Sequence, residues 1–260
     1  MENILFKKSY QLDSYKEVNF KDLWNNNGIF TTIRVLGRPY RFVMIKQHLK
    51  NLNKSLKEIK IYKSIRLNVL NNITNNLFDN KYKYDHLLRI AVNSKLLSLS
   101  LRTRPKPKKN FIGYVVDYQR PNFKLKNLTY HKILKYIYSI NTKFEEIILT
   151  KKNFILEGCT TNLLLVKNKN LYMPKEGFYP GITLKFFQQH LKNKITKKDI
   201  NIKELNNYDE IILVGSGKGV VSLYKIEKLK WKRKQDLFFK KLFNIYNKHL
   251  NSIKCMTNQQ

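Results

Sequence analysis

The chain has 260 residues, 42% of them hydrophobic and 13% aromatic, which is enough to bury a core in one large domain or two small ones. This composition excludes a disordered tail, and no apolar run approaches the roughly 20 residues that span a bilayer. The formal net charge of +33 favours an anionic ligand or a polyanionic partner.

The positive charge is spread along the chain and comes mainly from lysine, which occurs together with asparagine and isoleucine. The lysines do not cluster with aromatic residues as they do in proteins that bind single-stranded nucleic acid. We therefore expect a small anionic ligand and neither a nucleic-acid nor a membrane partner, while a basic binding protein remains an alternative.

The cysteines give a second compositional indication. Cys159 and Cys255 are far apart and match neither a disulfide framework nor the spacing of metal ligands. This usage predicts a reducing compartment, here the cytoplasm, and no metal site.

The N-terminal half combines segments with the period of strands and segments with the period of helices. The strands are predicted over residues 28–35, 40–45, 86–93, 96–103 and 113–118. The helices are predicted over residues 46–59 and 63–78. We expect this half to form a small α/β domain over residues 1–117.

A polar stretch over residues 118–126 is predicted to connect this domain to a cofactor-binding domain over residues 127–260. Its predicted strands cover residues 144–150, 154–166, 171–174 and 209–216, and its predicted helices cover residues 129–140, 181–192 and 234–252. The overall pattern predicts an α+β (mixed α/β) fold of two units.

Two features in the second half are suited to binding phosphate. The sequence "PGIT" (Pro180–Thr183) opens a helix, whose first N–H groups and positive dipole end attract anions. The glycine-rich turn "GSGKG" (Gly215–Gly219) allows close backbone approach and carries the hydroxyl of Ser216. Either feature alone is more often an ordinary turn, but together they indicate one phosphate held from two sides.

Two further residues suggest what carries the phosphate. Lys132 shares a helix face with Tyr136, and partial withdrawal from water would make it an amine nucleophile or base. Glu157 lies in the apolar strand "ILEGCTTNLLLV", where a carboxylate needs a charged or hydrogen-bonding partner. A protonated pyridine nitrogen would be such a partner, so these parts together match a pyridoxal phosphate site.

The motifs "YHKILKYI", "ILEGCTTNLLLVKNKNLYMP", "PGIT" and "DEIILVGSGKGVV" resemble, in this order, those of the class IV aminotransferase family. The resemblance implies a two-domain fold type IV pyridoxal-phosphate enzyme with a D-amino-acid aminotransferase-like architecture. It also implies a homodimer.

The resemblance assigns a role to each matching residue. Lys132 would be the lysine that binds the cofactor covalently, Tyr136 would donate to its phenolic oxygen, and Glu157 would pair with its ring nitrogen. Asn162 would support the site structurally. The phosphate would be bound by four residues, namely Ile182, Thr183, Ser216 and Gly217.

The stretch "GIFTTIRV" (Gly28–Val35) is the most informative about the reaction. It resembles the 4-amino-4-deoxychorismate lyases, in which the position of Thr32 assists proton transfer, whereas branched-chain aminotransferases have Glu-Gly in place of Thr31-Thr32. The expected reaction is therefore lysis of aminodeoxychorismate to 4-aminobenzoate and pyruvate in folate biosynthesis. An aminotransferase acting on branched-chain or D-amino acids is the alternative.

Three departures from the family pattern accompany the resemblance. Asn51 replaces a usual arginine that contacts the cofactor phosphate, and Lys50 or Lys54 would have to supply the missing charge. Leu184 replaces the arginine that usually follows Gly-Ile-Thr. The span between Lys132 and Glu157 is also shorter than usual.

Overall fold

The structure is a computed structural model that describes residues 4–192 and 194–253, so Cys255 lies outside the described residues. The chain forms two compact units. Among the described residues, unit 1 comprises 4–104, 125–131 and 252–253, and unit 2 comprises the rest.

Unit 1 is an antiparallel six-stranded sheet with two helices packed on one face. Its strands are β1 (Ile4–Gln11), β2 (Glu17–Val18), β3 (Gly28–Gly37), β4 (Arg41–Phe42), β5 (Tyr84–Asn93) and β6 (Leu96–Thr103). Its helices are α1 (Ile45–Glu58) and α2 (Leu67–Asn75). The order across the sheet is β2-β1-β6-β5-β3-β4, and leucine and isoleucine side chains of β3, β5, β6 and α1 share one hydrophobic core.

Unit 2 is built on a mixed eight-stranded sheet. Its strands are β7 (Phe111–Asp117), β8 (Glu145–Lys151), β9 (Phe154–Gly158), β10 (Asn162–Lys167), β11 (Asn170–Pro174), β12 (Ile195–Lys198), β13 (Glu210–Gly215) and β14 (Gly219–Ile226). The order is β12-β11-β10-β13-β14-β7-β8-β9, with β7 parallel to both of its neighbours.

The helices of unit 2 are α3 (His131–Tyr138), α4 (Ile182–His190) and α5 (Leu237–Ser252), of which only the end residues His131 and Ser252 fall in unit 1, and a 3-10 helix covers Ile202–Asn207. The core packs around the fully buried indole of Trp231, whose Nε1–H donates to the carbonyl of Tyr208 at 2.9 Å. None of the helices within residues 4–192 and 194–253 has the length and apolar character needed to cross a membrane.

The predicted α+β class is confirmed, but two predicted strands are wrong in extent. The strand over 40–45 shrinks to Arg41–Phe42, because Met44 has a left-handed φ of 54° and α1 begins at the next residue. The strand over 154–166 is two strands, because a turn at residues 159–161 interrupts it. The helix over 63–78 is limited to Leu67–Asn75.

The domain limits also differ from those expected. The chain passes from unit 1 to unit 2 after Arg104, not at residue 118, and the segment Leu125–His131 returns to unit 1. The physical reason is β7, whose backbone pairs with β8 and β14 of unit 2. Residues 105–117 therefore belong to the unit that follows them.

Candidate active site

Glu157 occupies the end of β9 and is buried, with 3% of its surface exposed. Arg120 donates to its Oε1 through Nε, at 2.8 Å, and through a second guanidinium nitrogen. The backbone N–H of Tyr179 donates to the other oxygen, Oε2, at 3.1 Å. Arg120 thus supplies the counter-charge that a buried carboxylate requires, through the charge-assisted pairing that arginine favours.

The small residues after Glu157 form a tight turn. The N–H of Gly158 donates to the carbonyl of Thr161 at 2.9 Å, closing the turn between β9 and β10. A Cβ at residue 158 would lie 2.3 Å from Oγ1 of Thr161 and 3.1 Å from the side chain of Glu146, so a larger residue would displace the hydroxyl of Thr161 from this position. The polar residues that interrupt the apolar stretch therefore form a turn beside the carboxylate.

Asn162 connects this turn to the start of α4. Its Nδ2 donates to the carbonyl of Tyr179 at 2.7 Å, and its Oδ1 accepts the N–H of Gly181 at 3.2 Å. Gly181 is the N-cap residue of α4, which has no side-chain cap and no acidic residue in its first turn. The N–H groups that begin this helix are therefore arranged as an anion site requires.

The predicted phosphate-binding residues lie on two neighbouring segments of unit 2. Ile182 and Thr183 are buried in the first turn of α4. Ser216 and Gly217 are half-buried in the turn between β13 and β14. Asn162 bonds to the residue that caps α4, and it is paired in register with Val214 of β13, so contacts through one residue link the two segments.

Lys132 and Tyr136 lie on α3, as predicted. The Lys132 Nζ sits 4.3 Å from the ring centroid of Tyr118, and the rings of Tyr118 and Tyr136 pack edge to face at 5.9 Å. Lys132 is exposed, so its expected withdrawal from water is not observed in the single chain. Burial, followed by the neighbouring Tyr136, raises the pKa of Tyr118.

The segment Tyr118–Arg120 is the part of the site that sequence reasoning missed. The prediction made it an interdomain connection, yet Tyr118 contacts Lys132 and Tyr136, and Arg120 binds Glu157. It therefore connects the lysine on α3 to the carboxylate on β9. The available signal was the demand of Glu157 for a cation, which an arginine next to a predicted strand end satisfies.

The Thr31-Thr32 pair belongs to β3 in unit 1, where neighbouring residues face opposite sides of the sheet. Thr31 faces α1, and its Oγ1 lies 2.7 Å from Nδ1 of the buried His48. Thr32 faces the opposite side and is paired with Arg89 of β5. The sheet register thus places Thr31 against the core and Thr32 on the opposite face of the sheet.

Three arginines share the face of Thr32, since directly paired residues point to the same side. They are Arg34, Arg89 and Arg102. Arg34 shares Oδ1 of Asp85 with Arg104, at 3.1 and 2.8 Å. Arg89 binds the half-exposed Asp22 at 2.8 Å and stacks over Trp24 at 4.4 Å.

Arg89 differs from its neighbours in one polar atom. Its Nε is buried and has no hydrogen-bond partner within the part of the chain that the structure describes. A buried donor without a partner is costly and points to a function or a ligand.

The departures from the family pattern lie at separate places. Asn51 is half-buried on α1, and Lys50 and Lys54 on either side of it are exposed. Leu184 is buried on α4. The short span after Tyr136 is accommodated because α3 ends at Tyr138 and β8 begins at Glu145.

The comparisons with known proteins identify the class. A model of the amino-transferase class IV family matches residues 28–226. The chain belongs to the class IV aminotransferase family and is a pyridoxal-phosphate enzyme. A comparison with curated protein sequences finds no match.

Solved structures show the same fold type IV architecture at low sequence identity. A branched-chain aminotransferase from Thermoproteus uzoniensis, solved with norvaline, has a TM-score of 0.76, is 16% identical and covers 93% of both chains. A candidate 4-amino-4-deoxychorismate lyase from Legionella pneumophila has a TM-score of 0.68 and 18% identity, over 85% of this chain and 91% of its own. A hypothetical aminotransferase from Mycobacterium tuberculosis, in its pyridoxal-phosphate-bound form, has a TM-score of 0.72 and 14% identity, over 93% and 98%.

The residues of unit 2 fit this cofactor. Glu157 offers a buried carboxylate held by Arg120, which suits a ring nitrogen that must stay protonated. The start of α4 has no side-chain cap, and the nearby turn carries the hydroxyl of Ser216. Both features suit a phosphate dianion.

Proposed function

We propose that the protein is a 4-amino-4-deoxychorismate lyase, which cleaves its substrate into 4-aminobenzoate and pyruvate. The products together contain the atoms of the substrate, so no oxidant or second substrate is needed. Pyridoxal phosphate, when bound, supplies the electron sink that makes proton loss beside the substrate amine feasible.

One observation carries the choice of lyase: two threonines at positions 31 and 32 follow Phe30 on β3, and they differ in their surroundings. The hydroxyl of Thr31 is committed to His48, while Thr32 lies on the face that also bears Arg89. A hydroxyl on that face suits the proposed role of Thr32, which is to hold or return a proton through its Oγ1 as the enolpyruvate group leaves.

The proposed roles in unit 2 follow the chemistry of each group. Lys132 would bind the cofactor covalently, and its Nζ, once released, would take the proton from the amine-bearing carbon. Tyr136 would donate a hydrogen bond to the cofactor's phenolic oxygen, and Glu157 would keep the ring nitrogen protonated. The N–H groups of Ile182 and Gly217 and the hydroxyls of Thr183 and Ser216 would hold the phosphate.

Arg89 is the best supported of the three arginines as the anchor for a substrate carboxylate. Arg34 and Arg104 both donate to the same oxygen of Asp85, so the charge of Arg34 is already paired. Arg89 has a buried Nε–H without a partner among the described residues, and its ion pair with Asp22 is open to water. The substrate is a dianion, which agrees with a cationic face on this side of the sheet.

The deciding experiment incubates the purified, cofactor-loaded protein with aminodeoxychorismate and measures 4-aminobenzoate by fluorescence and pyruvate by a coupled assay. Equal amounts of both products are expected from the wild type. Arg89→Gln should raise KM more than tenfold, the effect of losing an interaction worth about 1.4 kcal/mol. Arg34→Gln, on the same face, is the matched control and should change KM less. Turnover without pyruvate would overturn the proposal.

The second candidate is an aminotransferase acting on branched-chain or D-amino acids, which the match to the class IV family model also supports. The test is a half-reaction with branched-chain and D-amino acids in which the cofactor takes up the amino group and a keto acid is released. Keto-acid formation faster than 4-aminobenzoate formation would favour this function.

The resemblance to the family also leads us to propose a homodimer. Sedimentation of the purified protein at several concentrations would test it, with about twice the chain mass of 31.2 kDa expected.

A further inference from the structure

Lys218 lies in the turn between β13 and β14, directly after Ser216 and Gly217, and only 8% of its surface is exposed. Its Nζ donates to the carbonyl of Glu145 at 2.9 Å and to the carbonyl of Thr142 at 3.2 Å. The same nitrogen lies over the ring of Phe111 at 4.8 Å. In a chain whose lysines are mostly exposed, this one is held inside unit 2.

The buried partner of Lys218 is Glu146 on β8, which is fully buried. Its Oε2 lies 3.5 Å from Nζ of Lys218 and accepts the hydroxyls of Thr160 and Thr161 at 2.6 and 3.0 Å. Its Oε1 accepts the N–H of Ile147 at 3.1 Å. One carboxylate therefore connects β8 to the turn that follows Glu157 and to Lys218. The turn at residues 216–218, which contains Lys218, is called the phosphate turn below.

This connection joins the two parts of the proposed cofactor site. The turn at residues 159–161 follows the carboxylate proposed for the ring nitrogen, and the turn at residues 216–218 carries two of the groups proposed for the phosphate. Gly215 lies against the first turn, since a Cβ there would be 2.9 Å from the carbonyl of Thr160. Glu146 contacts both turns, the first through the hydroxyls of Thr160 and Thr161 and the second through Lys218.

We propose that the Glu146–Lys218 ion pair positions the phosphate turn, so that the hydroxyl of Ser216 and the N–H of Gly217 meet the cofactor phosphate at a fixed distance from Glu157. This inference rests on the proposed cofactor site and adds two positioning residues to it. Neither residue touches the cofactor in this proposal. Each acts through the turn to which it is bonded.

The physical argument for a positioning role is the cost of the pair. Burying a lysine and a glutamate together is seldom better for stability than burying two apolar residues of similar size. The ion pair provides a fixed direction that an apolar pair would not. The Nζ of Lys218 donates to two carbonyls and lies 3.5 Å from the Glu146 carboxylate. A fixed turn can bind phosphate without first being ordered.

The test compares the affinity of the full chain for pyridoxal phosphate and for pyridoxal, which lacks only the phosphate. Both are measured by the absorbance change on binding and by quenching of protein fluorescence. The ratio of the two dissociation constants reports on the phosphate subsite alone. The variants are Lys218→Met and the isosteric Glu146→Gln. Lys234→Met is the matched control, because Lys234 also donates to a backbone carbonyl, that of Asn206 at 2.7 Å, but lies outside the turn.

For Lys218→Met we expect the preference for pyridoxal phosphate over pyridoxal to fall about tenfold, a change of ~1.4 kcal/mol. Affinity for pyridoxal should change less than threefold, and Lys234→Met should keep the wild-type ratio. Glu146→Gln should lower the ratio in the same direction but less, since an amide still accepts hydrogen bonds.

Equal losses of affinity for both ligands would assign the pair to general stability and overturn the inference, as would unfolding of both variants in circular dichroism. If the wild type binds neither ligand, the proposed function itself fails. Wild-type binding with an unchanged ratio in Lys218→Met defeats this inference alone.

Discussion

Arg120 binds Glu157 through two guanidinium nitrogens that converge on one carboxylate oxygen, and both side chains are almost completely buried, with 7% and 4% exposed. The pair joins a segment between secondary-structure elements to the edge strand β9. Because both side chains are buried, removal of one partner leaves the other charge without compensation, which is strongly destabilising.

Arg120→Met should therefore lower the free energy of unfolding by about 3–5 kcal/mol, since Glu157 would be left buried without its cation. Urea unfolding of the cofactor-free protein measures this loss. Lys175→Met is the matched control, because Lys175 pairs with Asp199 at 3.8 Å where both side chains are about 60% exposed, and its loss should stay under ~1 kcal/mol. Similar losses in the two variants would contradict the importance given to Arg120.

For the neighbouring threonines of β3, we expect replacement of Thr31 to lower stability and replacement of Thr32 to slow the reaction. Thr31→Val removes the bond to His48 and should cost about 1–3 kcal/mol of unfolding free energy, because a buried polar atom loses its partner. Thr32→Val should leave stability within about 0.5 kcal/mol and lower kcat. Denaturant unfolding and steady-state lyase kinetics measure the two effects, and a Thr32→Val enzyme with full kcat would remove Thr32 from the mechanism.

Lys132→Ala should abolish the covalent attachment of the cofactor. The wild type, treated with pyridoxal phosphate and borohydride and then digested, should yield a labelled peptide that contains Lys132. The variant should yield none at this site. Lys135→Ala is the control, because Lys135 is an exposed lysine on the same helix and its loss should not change labelling. Labelling at another lysine in the wild type would show that the assignment is wrong.

The buried side chain of His48 should make the free energy of unfolding depend on pH. Burial, followed by the positive charge of Lys126, lowers the pKa of His48 from 6.5 to about 3. Between these values the unfolded chain binds a proton that the folded chain does not, so stability is lost as pH falls below about 6.5. From pH 7 to pH 5 the loss from this residue should be about 2 kcal/mol.

The measurement is urea unfolding at a series of pH values for the wild type and for His48→Asn, whose amide cannot take up a proton in this range. The variant should be less stable at pH 7 but should lose about 2 kcal/mol less than the wild type on going to pH 5. Parallel pH profiles would mean that His48 is not the titrating group.

The regular elements were predictable where hydrophobic period and length agreed, as in β6, whose limits match the prediction, and α1, whose limits differ from it by one residue at each end. The failures arise from contacts distant in sequence. The break between β9 and β10 depends on Glu146, which lies far enough away that no local pattern reveals it. Thr31 and Thr32 are adjacent in a strand and therefore face opposite sides of the sheet. Only the position of α1 shows which of the two is buried.

The candidate site divides in the same way. The glycines, Lys132 and Glu157 could be proposed from the sequence because their motifs are local. Arg120 belongs to no such motif, since its partner is a carboxylate 37 positions later in the chain. Lys218 was one lysine among many, and only its burial distinguishes it.

The position of β7 in the eight-stranded sheet determines where a fragment that contains unit 2 can begin. β7 is an interior strand, bonded to β14 on one side and to β8 on the other. A fragment that starts at residue 118 or 127 would lack it, leaving two partial sheets with open edges that invite aggregation. A fragment that starts at Pro105 would retain every strand of unit 2 but would carry Leu125–His131 as a foreign loop. Expression trials should therefore use fragments that begin at Pro105 and carry a shortened 125–131 segment, even though the sequence predicts the domain boundary at residue 118.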